Sequence, residues 1–245
     1  MKQRKKNVLI FGDSHARRYI ELEADKIQND IKFKVCPVHG ATAQGAVNPH
    51  SKTKALSKYS ELLEERRIKD NVKKHTDKEY DFFGIMLGEV DCGFVIWYRA
   101  KKYNKTVEDQ ILLAANNLES FLKNNVEDNF SHNKIIVIGA PLPTIKDNAD
   151  KRFLAGARSD VDASLQERID CTFKYNKQLE LMAKRNNYLY FDITEETFDK
   201  ENYCVFNKFL NKNKEPGPID HHFNPLTVAP IFVDKFKEIY IKNAK

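Results

Sequence analysis

Five short apolar runs, separated by segments with helical periodicity, constrain the fold of this chain most strongly. Each run is nearly continuous in apolar residues, which is typical of a strand covered on both faces. The runs lie at residues 7–11, 31–35, 80–87, 134–138 and 188–193. Because predicted strands alternate with helices, the sequence predicts a parallel sheet with right-handed crossovers and helices on both faces. The predicted class is therefore α/β, a three-layer α/β/α sandwich with about five strands.

The last predicted helix has the clearest start signal. Asn224 can cap it and Pro225 suits its first turn. Apolar residues then recur at the spacing of one helical face, which predicts a buried stripe. The residues of this stripe are Leu226, Ala229, Val233, Phe236 and Tyr240.

Composition excludes several classes of protein. The chain has 245 residues, 41% of them hydrophobic, so we predict one globular domain over residues 1–245. Its net charge of +6 is modest and spread along the sequence, so we predict no nucleic-acid partner. No apolar run reaches the roughly 18 residues of a membrane span, and the apolar stretch near the start is too short for a signal peptide. We therefore expect a cytoplasmic protein. Its four cysteines have no CxxC spacing, which predicts free thiols.

Polar segments follow three of the predicted strands, and a fourth precedes the last helix. Ligands of open parallel sheets bind beyond the carboxyl ends of the strands, so these segments are the places to look for a site. They are Gly-Asp-Ser-His at 12–15, His-Gly-Ala-Thr-Ala at 39–43, Gly-Glu-Val-Asp-Cys at 88–92 and Asp-His-His-Phe-Asn at 220–224.

Each segment also has a purely structural interpretation. Asp13 and Ser14 are common helix caps, Gly40 suits a turn, and an aspartate near a histidine before a helix can simply cap it. The functional interpretation depends on all four segments meeting at one edge of the sheet.

The residue types at this edge match nucleophilic acyl chemistry. A serine hydroxyl needs a base to accept its proton and an acid to orient that base. Ser14, His222 and Asp220 supply these three roles from opposite ends of the chain. The backbone N–H groups of Ser14 and Gly40 could stabilise the negative charge that develops on an attacked carbonyl oxygen.

With these motifs the sequence resembles the SGNH/GDSL hydrolase superfamily, from about residue 7 to residue 240. The resemblance implies a flavodoxin-like α/β/α sandwich that cleaves or transfers acyl esters without a cofactor. It implies that Ser14 is the nucleophile, that Gly40 donates to the oxyanion, and that the final histidine and its aspartate are the base and the orienting acid.

Two positions depart from the family pattern. Val90 stands where the family usually has an asparagine whose side chain completes the oxyanion hole, and loss of such a donor costs about 100- to 1,000-fold in turnover. A protonated Glu89 could substitute for it. The family aspartate usually stands three residues before the histidine, whereas Asp220 stands two before His222. His222 fits the context better than His221, by a small margin.

Other polar and aromatic residues near this edge are candidates for substrate binding. Trp97 could form a wall of the site, although an aromatic residue at helical spacing is more often part of a core. Arg152 and Arg158 could contact an anionic substrate or lie on a solvated lid. The remaining substrate-binding candidates are Asp13, His15, Glu89, Asp91 and His221.

The same edge could also support metal binding or thiol chemistry. The histidines and carboxylates there could hold a zinc-like ion, but no two of them have helical i, i+4 ligand spacing, so we predict neither a metal nor a cofactor. Cys92 could be a nucleophile, although a buried, inert thiol is the stronger interpretation.

The predicted function is a serine-dependent ester hydrolase, an acyl or acetyl esterase or acyltransferase whose substrate is a small-molecule or glycan ester. The Val90 substitution supports an alternative, a catalytically degenerate protein that binds a glycan or a nucleotide. A transferase that uses the same edge is a third hypothesis. The sequence predicts neither the acyl group, the acceptor nor the oligomeric state.

Overall fold

The computed structural model describes residues 5–28, 30–72, 80–150, 152, 154, 158, 161–211 and 219–243. Within these residues, five parallel strands form one sheet in the order β2-β1-β3-β4-β5. The strands are β1 (Lys6–Gly12), β2 (Ile31–Pro37), β3 (Phe82–Met86), β4 (Ile135–Ile138) and β5 (Leu189–Phe191). Every strand predicted from an apolar run is present, so the predicted parallel sheet is confirmed.

Helices connect the strands. A continuous helical stretch follows β1, beginning as α1 (Ser14–Ala16), passing through a π-helical segment (Arg17–Ala24) and ending as α2 (Asp25–Ile27). A second π-helical segment (Asp91–Val95) leads into the helix after β3. The remaining helices are α3 (Ala55–Val72), α4 (Ile96–Tyr103), α5 (Val107–Asn125), α6 (Leu165–Asn186), α7 (Thr194–Thr197) and α8 (Pro225–Asn243).

Short elements complete the described part of the chain. A two-stranded antiparallel ribbon pairs β6 (Phe198–Asp199) with β7 (Cys204–Val205). Single 3-10 turns lie at Gly45–Val47, His132–Lys134 and Asn207–Phe209.

The core has two layers, one on each face of the sheet. Successive side chains of a strand point to opposite faces, and accordingly Phe11 packs with residues of α5 and α6, whereas Ile10 packs with residues of α8. Helices thus cover both faces, which confirms the three-layer sandwich. None of the helices that the structure describes combines the length and the apolarity that crossing a membrane requires.

The buried face of α8 differs from the prediction at its first turn. Leu226 is 70% exposed, so its assignment to the buried stripe was wrong. At about 100° per residue, Leu226 falls at the margin of the face that contacts the sheet. The residues that this face buries are Val228, Ala229, Phe232, Val233, Phe236 and Ile239.

Candidate active site

The turn after β1 places Ser14 at the carboxyl edge of the sheet. A Cβ atom at Gly12 would lie 2.6 Å from Cβ of Ala16 and 2.9 Å from the carbonyl oxygen of Met86, so only glycine lets α1 approach the sheet this closely. Asp13 caps α1, because its carboxylate accepts a hydrogen bond of 2.9 Å from the backbone N–H of His15. The capping interpretation of Asp13 is thus correct, and it leaves the half-buried Ser14 as the first residue of the helix.

Two segments that are distant in the sequence meet over this edge. The Ser14 hydroxyl lies 2.9 Å from Nε2 of His222, although 208 positions separate the two residues. Nδ1 of His222 lies 2.6 Å from Oδ1 of Asp220. The three residues therefore form one hydrogen-bonded chain from hydroxyl to imidazole to carboxylate.

A local turn accommodates the short spacing between Asp220 and His222. Oδ1 of Asp220 accepts a second hydrogen bond, of 3.0 Å, from the backbone N–H of His222. A short polar side chain that accepts from the backbone two residues on forms an Asx turn. This turn brings the carboxylate and the ring of His222 together within two residues.

Two residues outside the four sequence segments hold the other oxygen of Asp220. A guanidinium N–H of Arg18 donates to Oδ2 at 2.9 Å, and the side-chain amide of Asn211 donates to it at 3.1 Å. The same amide lies 3.1 Å from the carbonyl oxygens of His222 and Phe223. Sequence reasoning missed both residues, since neither belongs to a motif and Arg18 is 202 positions from its partner.

The charges around His222 determine which of its nitrogens carries a proton. Burial alone would raise the pKa of Asp220, but the hydrogen bonds from His222 and Arg18 lower it to about 2. Burial, together with the neighbouring His15 and His221, lowers the pKa of His222 to about 3. The imidazole is therefore neutral at neutral pH. Because its Nδ1–H donates to an ionised carboxylate, Nε2 accepts from the Ser14 hydroxyl.

The loop that carries Gly40 lies beside the Ser14 turn. In the sheet Gly12 pairs with Pro37, so the segments after the two residues start at the same edge. Gly40 is exposed and has φ of +69°, a conformation that favours glycine. The predicted oxyanion donor therefore lies on a loop next to the Ser14 turn.

The buried side chain of Asp91 holds this loop through a hydrogen bond to its backbone. It is fully buried and accepts a hydrogen bond of 2.8 Å from the backbone N–H of Ala43, and burial raises its pKa to about 7. Its described contacts position the loop, and a direct contact with a substrate stays a prediction.

Glu89 forms a buried ion pair with Arg158. Two hydrogen bonds, of 3.0 and 2.6 Å, join the guanidinium to the carboxylate. Burial would raise the pKa of Glu89, but the charges of Arg158 and His15 outweigh it and hold that pKa well below its usual range. The hypothesis that a protonated Glu89 replaces the missing asparagine donor is therefore wrong. Arg158 is likewise not on a solvated lid, since its side chain is 11% exposed.

Three histidines from two segments cluster beside Ser14. The ring centroid of His15 lies 4.4 Å from that of His222 and 5.3 Å from that of His221. Nδ1 of His15 lies 3.1 Å from Oδ1 of Asp13. One ring nitrogen from each histidine lies within 4.8 Å of the other two. Helical ligand spacing gives no indication of this cluster, because its rings come together from separate segments.

Cys92 and Trp97 have packing contacts. Cys92 is buried, and burial next to Cys171 raises its pKa well above the usual value, so its thiol is a poor nucleophile. The indole N–H of Trp97 donates to the carbonyl oxygen of Cys92 at 2.7 Å, and its ring packs against the core. A contact between Trp97 and a substrate stays a prediction.

Solved structures of other proteins share this fold. No protein-family model matches the chain, and no curated protein matches it in sequence. The acetyl xylan esterase AlAXEase is 13% identical with a TM-score of 0.55, over 95% of this chain and 98% of that one. A putative acylhydrolase from Bacteroides fragilis is 12% identical with a TM-score of 0.56, over 100% and 93%. The aryl esterase of M. smegmatis is 14% identical with a TM-score of 0.54, over 96% and 99%.

Identities this low establish the fold and leave the activity to be argued from the site. The match extends over nearly the whole of each chain, in agreement with the extent of the motifs in the sequence. The predicted resemblance is therefore confirmed for the architecture, because the chain shares its fold with these esterases and with this acylhydrolase.

Proposed function

We propose that this protein is a serine-dependent ester hydrolase in which Ser14 is the nucleophile, His222 the general base and Asp220 the acid that orients it. The hydrogen-bonded chain from the Ser14 hydroxyl through His222 to Asp220 is the observation that carries the proposal. Its geometry matches the requirement that nucleophile and base lie within hydrogen-bond reach and that a third group holds the base.

The reaction follows from this arrangement. The oxygen of Ser14 attacks the ester carbonyl while Nε2 of His222 takes the hydroxyl proton. The tetrahedral intermediate then collapses, and His222 returns that proton to the departing alcohol oxygen, which leaves an acyl-serine. Water, deprotonated by the same nitrogen, attacks the acyl group and releases the carboxylic acid. Ser14 recovers its proton from His222.

The proposed oxyanion hole has fewer hydrogen-bond donors than the family pattern provides. In our proposal the N–H groups of Ser14 and Gly40 donate to the developing negative charge. Val90 offers no donor at the third position, and the paired carboxylate of Glu89 offers none beside it. We therefore expect turnover about 100- to 1,000-fold below that of a site with three donors.

We extend the proposal to an acetyl or other short acyl ester on a carbohydrate. One solved structure with this fold is an acetyl xylan esterase, which supports this substrate class. His221 and Trp97 are part-exposed and could contact the substrate, whereas His15 is 1% exposed. Transfer of the acyl group to an acceptor hydroxyl would use the same acyl-serine.

The test compares hydrolysis of p-nitrophenyl acetate with labelling by a serine-reactive fluorophosphonate. We expect Ser14→Ala to abolish labelling and to lower kcat by about 10⁴-fold or more. Ser120→Ala is the matched control, since that serine is exposed on α5, and we expect it to behave as wild type. Turnover and labelling that persist in Ser14→Ala would contradict the proposal. A wild-type chain that neither labels nor turns over would favour the degenerate binding protein that the Val90 substitution suggests.

A further inference from the structure

The same three-residue arrangement occurs twice at the active-site edge. In both Asp13-Ser14-His15 and Asp220-His221-His222, one carboxylate oxygen contacts both the backbone N–H and Nδ1 of the histidine two residues later. Each unit thereby fixes the orientation of its ring and leaves Nε2 facing away from the carboxylate. The two rings face each other, with centroids 4.4 Å apart.

The free nitrogen of His15 has no role in the hydrolytic scheme. His15 is 1% exposed, and its Nε2 has no hydrogen-bond partner among the described residues. Oε2 of Glu89 lies 3.7 Å from this nitrogen, and that oxygen already accepts from Arg158. Burying a polar atom without a hydrogen bond costs free energy, so we expect this nitrogen to bind a ligand.

We propose that His15, His221 and His222 form a binding site for Zn²⁺ or a similar divalent transition-metal ion. Imidazole nitrogens are common ligands of such ions, and a ligating histidine almost always donates its other ring N–H to a carboxylate or a carbonyl. Asp13 and Asp220 stand behind His15 and His222 in that position.

The distances allow coordination after a small convergence. Zinc–nitrogen bonds of about 2.0 Å in a tetrahedral site require nitrogens about 3.4 Å apart. The three nitrogens lie within 4.8 Å of one another, so none has to move by more than about 1 Å. His221 is the ring with most freedom, because it is part-exposed, whereas the rings of His15 and His222 are buried. Water would complete the coordination.

The charges around the cluster favour a dication. Three carboxylates, of Asp13, Glu89 and Asp220, lie against the histidines, and two guanidiniums, of Arg158 and Arg18, pair with the last two of them. Once the imidazoles have lost any proton to bind the ion, the carboxylates and guanidiniums sum to a net charge of about −1, which stabilises a dication in the site.

The occupied site would switch off the proposed hydrolysis. Nε2 of His222 contacts the Ser14 hydroxyl, and a nitrogen bound to a metal has no lone pair left to accept a proton. This consequence rests on the proposed function, whereas metal binding itself does not. Zinc would therefore act as a reversible inhibitor of the serine reaction.

The experiment titrates the tag-free, chelator-treated full chain with Co²⁺ and follows visible absorption. We expect one equivalent to bind with the intense bands of tetrahedral Co²⁺ and to be displaced by Zn²⁺. Loss of a carboxylate behind a ligating histidine weakens metal binding by about 10- to 100-fold. His221→Ala and His15→Asn remove a ligand itself, so we expect each to weaken binding by at least that factor. His132→Ala is the control, since that exposed histidine lies just before β4, at the opposite edge of the sheet, and this variant should bind as wild type.

Activity supplies a second readout. We expect Zn²⁺ to inhibit p-nitrophenyl acetate hydrolysis and a chelator to restore it. His221→Ala should raise the half-inhibiting concentration of Zn²⁺ by at least about tenfold. Each rate is taken relative to that of the same variant without metal. Ser14→Ala should lack turnover and still bind Co²⁺, so the two proposals fail separately. The absence of tetrahedral bands, or affinity unchanged in His221→Ala, would overturn the metal site. If His15→Asn does not fold, His221→Ala decides alone.

Discussion

The buried ion pair between Glu89 and Arg158 makes a quantitative prediction about stability. Arg158 belongs to the long connection after β4, and Glu89 lies in the segment after β3, so the pair fastens that connection onto the active-site edge. Replacement by methionine, Arg158→Met, keeps most of the side-chain volume and removes the charge. The carboxylate of Glu89 then stays in the interior without its guanidinium.

The size of the effect follows from burial. The side chains of Glu89 and Arg158 are 3% and 11% exposed, so solvent screens their interaction little. Removing one partner of a buried ion pair costs about 3 to 5 kcal/mol, because the remaining charge has lost its compensation. For a chain of this length the loss corresponds to a decrease in Tm of about 6 to 20 °C. His15, 3.7 Å from Glu89, retains part of the compensation, which favours the lower half of that range.

Thermal unfolding followed by circular dichroism measures this effect. Arg152→Met is the matched control, because Arg152 pairs with Asp150 in the same connection but is 83% exposed, and we expect no measurable change in Tm. The double variant Arg158→Met with Glu89→Gln removes both charges and should recover part of the loss, since a neutral pair leaves no buried charge uncompensated. Equal melting temperatures for Arg158→Met and Arg152→Met would refute the reasoning.

Three further substitutions test other contacts of the site. Asn211→Ala removes the amide that holds Asp220 and should lower kcat/KM by up to about 100-fold without a comparable loss of stability, which paired kinetic and melting measurements would detect. Gly88→Ala should lower the free energy of unfolding in urea by about 2 to 6 kcal/mol, because Gly88 has φ of +140° and a Cβ there would lie 2.3 Å from Cε1 of Tyr175. A decrease below about 1 kcal/mol would contradict this reasoning. Val90→Asn should raise kcat on p-nitrophenyl acetate by up to about 100-fold if the position faces the oxyanion, and an unchanged kcat would place the missing donor elsewhere.

The fold was predictable because burial on both faces leaves a direct signal in the sequence. A strand such as β4, Ile-Ile-Val-Ile, has no polar alternation, and only a covered parallel sheet accommodates several such strands. The error at Leu226 has the same origin. Periodicity fixes which residues can share a face, but it does not fix where along a helix that face begins to contact the sheet.

The site was predictable only in part. The positions of Ser14 and Gly40 follow from topology, because the ends of parallel strands meet at one edge, whereas His222 precedes α8 and was chosen from the motif. The roles of Arg18, Asn211 and Arg158 depend on long side chains that reach across the structure, and no local pattern indicates such a contact. Glu89 shows the difference most clearly: the sequence left open a protonated Glu89, and a guanidinium 69 positions away lowers its pKa.

The short spacing between Asp220 and His222 shows how contacts from elsewhere compensate for a local departure. With one residue fewer in the turn, Oδ1 accepts from both the backbone N–H and the ring of His222, and two donors to Oδ2 come from elsewhere in the chain. Arg18 and Asn211 donate hydrogen bonds to Oδ2 of Asp220. The amide of Asn211 also donates to the carbonyl oxygens of His222 and Phe223. A carboxylate held on both oxygens cannot rotate away from the ring without breaking several hydrogen bonds. The tighter turn is therefore compatible with a rigid base, and its rigidity comes from residues outside the motif.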